Sequence, residues 1–410
     1  MKYFFPDSHN TVDPTFDFSR ETGSTNRVRQ RQDQYCHEIF SKSPYDGLLI
    51  SKSTIDGFTN IGGKYTFAQR NRLLRSGARE FFRTPNLPLM GDCGAFTYIR
   101  EEFPPFTVDE TLDFYEACGF DYGISVDHAI LAYQPKFDDV SHSLNKEIIN
   151  LPKRREITLQ LAAEFYAKHR SRKLKFTPLG VAQGWSPKSY VNSAKELQKI
   201  GFEYIALGGI ALLKTADVLD CLRAVNEVRK PTTRLHLLGV NRIEAVTQFA
   251  KYGVESFDSS SLLRRAFKDD RDNYYTPSRT YAAVRVPQVA ANPQLLRRIK
   301  SGQISQDQAR TLEGEALTSL RLYAAGELSL AKTLDAVDSY DKFCDPEKNY
   351  RELYQQVLYD RPWTKCPCEI CKQLDYQVIL FRGTQRNRRR GFHNVWTFYE
   401  QLKNTAGIYD

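Results

Sequence analysis

Four carboxylates and an amide stand where apolar runs of this sequence stop. Asp92 follows Leu89-Met90-Gly91, Asp127 follows Gly123-Ile124-Ser125-Val126, and Asp258 follows Val254-Glu255-Ser256-Phe257. Asp7 and Gln183 close two further runs. A carboxylate at the end of a buried run is costly unless it is solvated, paired or functional. Any one of them reads equally well as a helix N-cap. Several on one rim, joined by Gln183 and by Gly208-Gly209, point to a functional site. A second group is of another kind. Cys366-Pro367-Cys368-Glu369-Ile370-Cys371 is followed by His393 beyond a loop of 21 residues. Three thiolates and one imidazole make a closed tetrahedral set of the structural zinc type, with no position left for a water, so zinc-activated hydrolysis is not expected. The alternative is a chance cluster of thiols.

The elements that must position these groups are short. Apolar runs bounded by turn residues predict strands at 2–5, 47–50, 87–91, 122–126, 176–181, 204–207, 234–239 and 254–257. Segments between them, such as 186–200, 215–229 and 242–252, carry apolar residues at helical spacing. Strands alternating with helices argue for a parallel sheet. A count of eight favours an α/β TIM (β/α)8 barrel, whose strand C-termini open on one face, over a doubly wound sheet.

Composition excludes several classes. At 410 residues with 41% hydrophobic and 26% charged residues, the chain is neither disordered nor fibrous. It has no apolar run of membrane-spanning length and no signal-peptide pattern at Met1-Lys2-Tyr3-Phe4, so a cytoplasmic protein is expected. Eight cysteines without a secretory signal do not read as a disulfide framework, and Cys36, Cys93, Cys118, Cys221 and Cys344 read as free thiols. The net charge of +9 suits a merely basic enzyme. It is the clustering of that charge that favours a polyanionic partner.

In these motifs the sequence resembles the tRNA-guanine transglycosylase superfamily. Gly91-Asp92-Cys93-Gly94-Ala95-Phe96 is similar to that family's Asp-Ser-Gly-Gly-Phe, and Gly180-Val181-Ala182-Gln183-Gly184 to its Gly-Ile-Val-Gln-Gly. Ala206-Leu207-Gly208-Gly209, Leu237-Leu238-Gly239-Val240 and Gly253-Val254-Glu255-Ser256-Phe257-Asp258 follow in family order, then the zinc motif. Within the superfamily the chain looks most like the DNA-modifying branch, which inserts 7-deazaguanines such as preQ0. That likeness rests on Tyr3-Phe4-Phe5-Pro6-Asp7-Ser8 with Val12-Asp13-Pro14. It rests also on departures from the tRNA enzymes: Ala95, Thr97, and Ser259-Ser260-Ser261-Leu262-Leu263-Arg264 after Asp258.

The resemblance implies a base exchange at one anomeric carbon. Such a double displacement needs a nucleophile on one side and an acid/base on the leaving base, as in retaining glycosidases. It makes Asp258 the nucleophile and Asp92 the acid/base. Asp127 would accept from the N1–H and 2-amino edge of guanine, with Gln183 on the 6-oxo side and the backbone at Gly208 and Gly209 close to the base. Phe96 and Leu238 fall where the family sandwiches the ring; without the resemblance, Phe96 reads as core. His128 has no assigned role. Zinc would be held by Cys366, Cys368, Cys371 and His393, and residues 394–402 would pack back to seal the barrel.

Two basic runs are candidates for phosphate contact. Arg382, Arg386, Arg388, Arg389 and Arg390 lie in the zinc loop, where the metal would tether them near the rim, although such a run is usually a solvated face. Arg72, Arg75, Arg79 and Arg83 are spaced for one side of a helix ending before Pro85. Residues 292–344 read as short helices broken near Gly302, Gly314 and Gly326, with no counterpart in the tRNA enzymes. The expected organisation is a catalytic barrel over 1–285, a helical insertion over 286–345, and a zinc subdomain with a closing helix over 346–410. The partners expected are DNA, a 7-deazaguanine base and an ATPase that opens the duplex. Two readings compete: the same chemistry on tRNA, and a silent nucleic-acid-binding relative, against which the presence of both Asp92 and Asp258 speaks.

Overall fold

The computed structural model describes residues 1–59, 61–139 and 146–406. Eight parallel strands close into a barrel: β1 (Lys2–Pro6), β2 (Gly47–Ser51), β3 (Leu89–Asp92), β4 (Tyr122–Ile124), β5 (Thr177–Ala182), β6 (Tyr204–Leu207), β7 (Arg234–Leu237) and β8 (Val254–Asp258). Each pairs with its sequence neighbour, and β1 closes on β8 with Phe4 opposite Asp258. The predicted runs all become strands, with ends shifted by at most two residues. Their inward side chains, among them Phe4, Leu49, Met90, Ile124, Val181, Tyr204 and Ala206, fill the interior. The barrel is a packed core, open for chemistry only at the strand ends.

The covering helices are α1 (Phe67–Phe81), α2 (Val108–Cys118), α3 (Lys146–Ser171), α4 (Pro187–Ile200), α5 (Thr215–Val228) and α6 (Val246–Lys251). Local chemistry sets their starts. Thr107 accepts from the Glu110 amide while Glu110 reaches back, and Ser186 caps α4 ahead of Pro187 at its first turn. Gly91 lets α2 sit close on β3, because a Cβ there would come within 2.6 Å of the Tyr115 ring. In α1, Gly77 has φ 78 and ψ 162, which breaks the helix between Arg75 and Arg79. Arg72, Arg75, Arg79 and Arg83 therefore do not form the expected stripe, and Arg79 is paired with Asp121.

Contacts divide the chain into two compact units. One comprises 1–9, 45–260 and 402–410, the other 10–44 and 261–401. These divisions differ from the boundaries at 285 and 345. The second unit contains α7 (Ser261–Lys268), α8 (Pro293–Lys300), α9 (Gln306–Ala324), α10 (Leu330–Cys344) and α11 (Arg351–Asp360), then the cysteines and α12 (Gly383–Ala406), whose last residues belong to the first unit. Helix α9 packs on α10, and α10 on α11, so the insertion does not stand apart from the residues after 345. Gly302 and Gly326 lie between helices, as expected. Gly314 does not break anything: it sits inside α9, where tertiary packing outweighs the roughly 1 kcal/mol cost of a helical glycine.

Candidate active site

The first unit brings the strand-end residues to one end of the barrel. Asp92 ends β3, Asp258 ends β8, and Asp127, Gln183, Gly208, Gly209 and Leu238 lie just past β4, β5, β6 and β7. Asp92 accepts a hydrogen bond from Ser51 Oγ at 2.7 Å. Burial pushes its pKa upward, and the nearby Asp258 carboxylate pushes the same way. Asp258 Oδ1 accepts from the Gly239 amide at 3.1 Å and lies 3.2 Å from His236 Nε2.

Asp127 is buried, and burial, then the charge of Asp92, raises its pKa to about 7. Gln183 Nε2 donates to its Oδ2 at 2.7 Å, and the Cys93 thiol lies 3.2 Å from Oδ1. Tyr98 donates to the Cys93 sulfur at 2.9 Å and to the Asp127 carbonyl at 3.1 Å. Gln183 is fixed from its other end by the Ile130 amide, 3.0 Å from Oε1. The glycine pair makes room for this arrangement. A Cβ on Gly208 would fall 2.2 Å from Gln183 Nε2, and Gly209 has φ 77 with the Ile130 carbonyl against it.

Phe96 is 58% exposed, so the reading of it as core is corrected; it lies on a short turn of helix at Ala95–Tyr98. Leu238 is half-buried against the interior cluster. His128 is taken up in packing: its Nδ1 lies 3.0 Å from Arg154, and its Nε2 3.1 Å from the Glu102 carbonyl. Sequence reasoning missed His236, which is wholly buried within β7. The sequence shows it only as one polar residue in an apolar run; the register of β7 and β8, which sets His236 opposite Ser256, gives it a role.

In the second unit, Cys366, Cys368, Cys371 and His393 place their ligand atoms within 4.8 Å of one another and could hold a metal ion. The three sulfurs lie 3.6, 3.4 and 3.4 Å from His393 Nδ1. A tetrahedral zinc with ordinary bond lengths requires about 3.5 Å between sulfur and nitrogen ligands, so the donor set fits. The His393 Nε2–H donates to the Tyr275 carbonyl at 2.7 Å, which leaves Nδ1 for a metal, and the Tyr274 ring stacks on the imidazole.

The arginine run in the same unit is corrected. Arg386, Arg389 and Arg390 are 3%, 3% and 0% exposed. Arg390 donates to the Leu380 and Ala266 carbonyls and to Asn387, while Arg389 donates to the Asp13 carbonyl. Arg386 and Arg382 share Glu21, and half-buried Arg388 donates to the Thr11 carbonyl at 2.6 Å. The run binds segment 10–44 to α12 rather than facing a polymer. Cations that stay exposed in this unit include Arg264, Arg265 and Lys268, which line an open pocket of about 350 Å³ together with Ser261, Asp269 and Asp270.

Among the described residues no helix is long and apolar enough to cross a membrane. Residues 133–295 match a family described as queuine tRNA-ribosyltransferase. The whole chain is 48% identical to a protein of Salmonella montevideo named DNA-guanine transglycosylase, covering 98% of it.

Proposed function

This chain belongs to the DNA-modifying branch of the tRNA-guanine transglycosylase superfamily, and from that premise we propose that it replaces guanine in DNA with a 7-deazaguanine base such as preQ0. The observation that carries the mechanism is the contrast between two neighbouring carboxylates. Asp92 is half-buried with its pKa raised by desolvation, which suits a proton carrier, whereas Asp258 has one oxygen held by two donors.

Asp258 attacks C1′ of the target nucleotide, the bond to N9 breaks, and its electron pair leaves with the guanine, which takes a proton from Asp92. The incoming base gives a proton to Asp92 and attacks C1′, and the ester to Asp258 breaks. Asp127 accepts from the N1–H and 2-amino groups, and Gln183 donates on the 6-oxo side. Phe96 and Leu238 supply apolar surface to the ring, and Gly208 and Gly209 admit it close to the backbone. Zinc on Cys366, Cys368, Cys371 and His393 would supply structure and no chemistry.

A base inside a duplex must be flipped out or presented single-stranded, by this protein or with the help of an ATPase. The phosphate counter-charge then falls to exposed cations such as Arg264, Arg265 and Lys268. The deciding assay incubates the protein with radiolabelled guanine or preQ0 and either plasmid DNA or total tRNA. Label is expected in DNA. Label in tRNA alone would assign the polymer to the tRNA branch, and label in neither would leave a silent binding protein.

A further inference from the structure

We infer that His236 is a positioning residue for the exchange reaction, holding Oδ1 of Asp258 so that Oδ2 is the oxygen that attacks; this rests on the reading of Asp258 as nucleophile. His236 is fully buried, with Nε2 3.2 Å from Asp258 Oδ1 and Nδ1 2.6 Å from Ser256 Oγ. Ser256 Oγ is bonded in turn to the Tyr204 hydroxyl. All four side chains belong to three adjacent strands, β6, β7 and β8.

The directions of these bonds follow from the groups themselves. An ionised carboxylate only accepts, so the Nε2–H of His236 donates to Asp258. The neutral imidazole then accepts at Nδ1, Ser256 donates there, and Tyr204 donates to Ser256. The Asp258 carboxylate thereby sets the tautomer, and Ser256, bonded to Tyr204, holds the ring at its other nitrogen. Edge contact with the Phe4 ring, 6.2 Å between centroids, limits rotation of the imidazole.

The consequence is an asymmetric carboxylate. Oδ1 has two donors, His236 and the Gly239 amide, while among the described residues none donates to Oδ2. The oxygen without a donor keeps its lone pairs for C1′, and the other is locked in orientation. When the C1′–O bond forms at Oδ2, Oδ1 becomes the ester carbonyl and still accepts from both donors. No proton moves along the chain from Tyr204.

The test compares His236→Leu and His236→Gln with Asp258→Asn in steady-state exchange on DNA, with melting temperatures measured in parallel. A misplaced nucleophile costs on the order of 100-fold. His236→Leu should lower kcat by about that factor, with KM for the incoming base within about twofold. Glutamine, whose amide nitrogen can stand near the place of Nε2, should recover most of the loss. Wild-type kcat in His236→Leu overturns the inference, as does a loss confined to KM or one that glutamine does not restore. If the leucine variant does not fold, Ser256→Ala decides: kcat should fall about tenfold at unchanged KM, and an unchanged kcat overturns the inference. An active Asp258→Asn protein would instead overturn the nucleophile reading, which separates the two failures.

Discussion

Gln183 donates to Oδ2 of Asp127 at 2.7 Å from the neighbouring strand end, with its own oxygen anchored by the Ile130 amide. The two residues proposed to read the base are therefore already joined. The edge of an incoming purine meets a fixed pair, with Cys93 on the other carboxylate oxygen. A preorganised pair of this kind loses little side-chain freedom when the base arrives.

Asp127 makes stability depend on pH. Its pKa is raised to about 7 by burial and by Asp92, whereas in the unfolded chain it is near 3.8. The folded protein thus keeps a proton that the unfolded chain has released. The stabilisation is full below about pH 4, declines as the pH rises, and is gone above about 7. Asp127→Asn should melt several degrees above wild type at pH 8, with the gap closing towards pH 5. Base binding should weaken at least about tenfold. Equal melting at both pH values would remove Asp127 from this role.

Asp258→Asn should fall at least about 10³-fold in exchange while keeping its fold, because the amide is isosteric but a poor nucleophile. Denaturing electrophoresis should show a protein–DNA adduct for wild type and none for the variant.

The zinc site should hold one ion per chain, measurable by elemental analysis of freshly purified protein. Cys368→Ser should lose the metal and melt at lower temperature, with activity falling in step with folding, since metal binding is coupled to the folded state. A metal-free protein with full activity and stability would end this reading.

The buried arginines give a prediction opposite to the one their sequence suggests. Arg390→Met should cost on the order of 3 kcal/mol, because carbonyls that now accept from the guanidinium lose their partner inside the protein. Joint replacement of Arg388, Arg389 and Arg390 by alanine should read as loss of fold rather than as a flattened salt dependence. The flattening should come from Arg264→Ala with Lys268→Ala, in DNA binding measured across a salt series.

The order of the strands, the residues at their ends and the Cys3His group were legible in the sequence because each is a local pattern. An apolar run of four or five residues bounded by turns closes a strand wherever it packs. A spacing of thiols is likewise read without knowing the fold. The arginine run was not legible, because a guanidinium is exposed or buried according to which carbonyls fold against it. Those at Asp13, Thr11 and Ala266 lie more than a hundred residues away in the chain. His236 was hidden for the same reason. It is one polar residue in a buried strand until β8 sets Ser256 and Asp258 beside it. Gly314 shows the reverse case, a local helix-weakening signal overridden by packing along α9. Sequence alone determined which residues end the strands; only the closed barrel, by setting β6, β7 and β8 side by side, decided which side chains hold them.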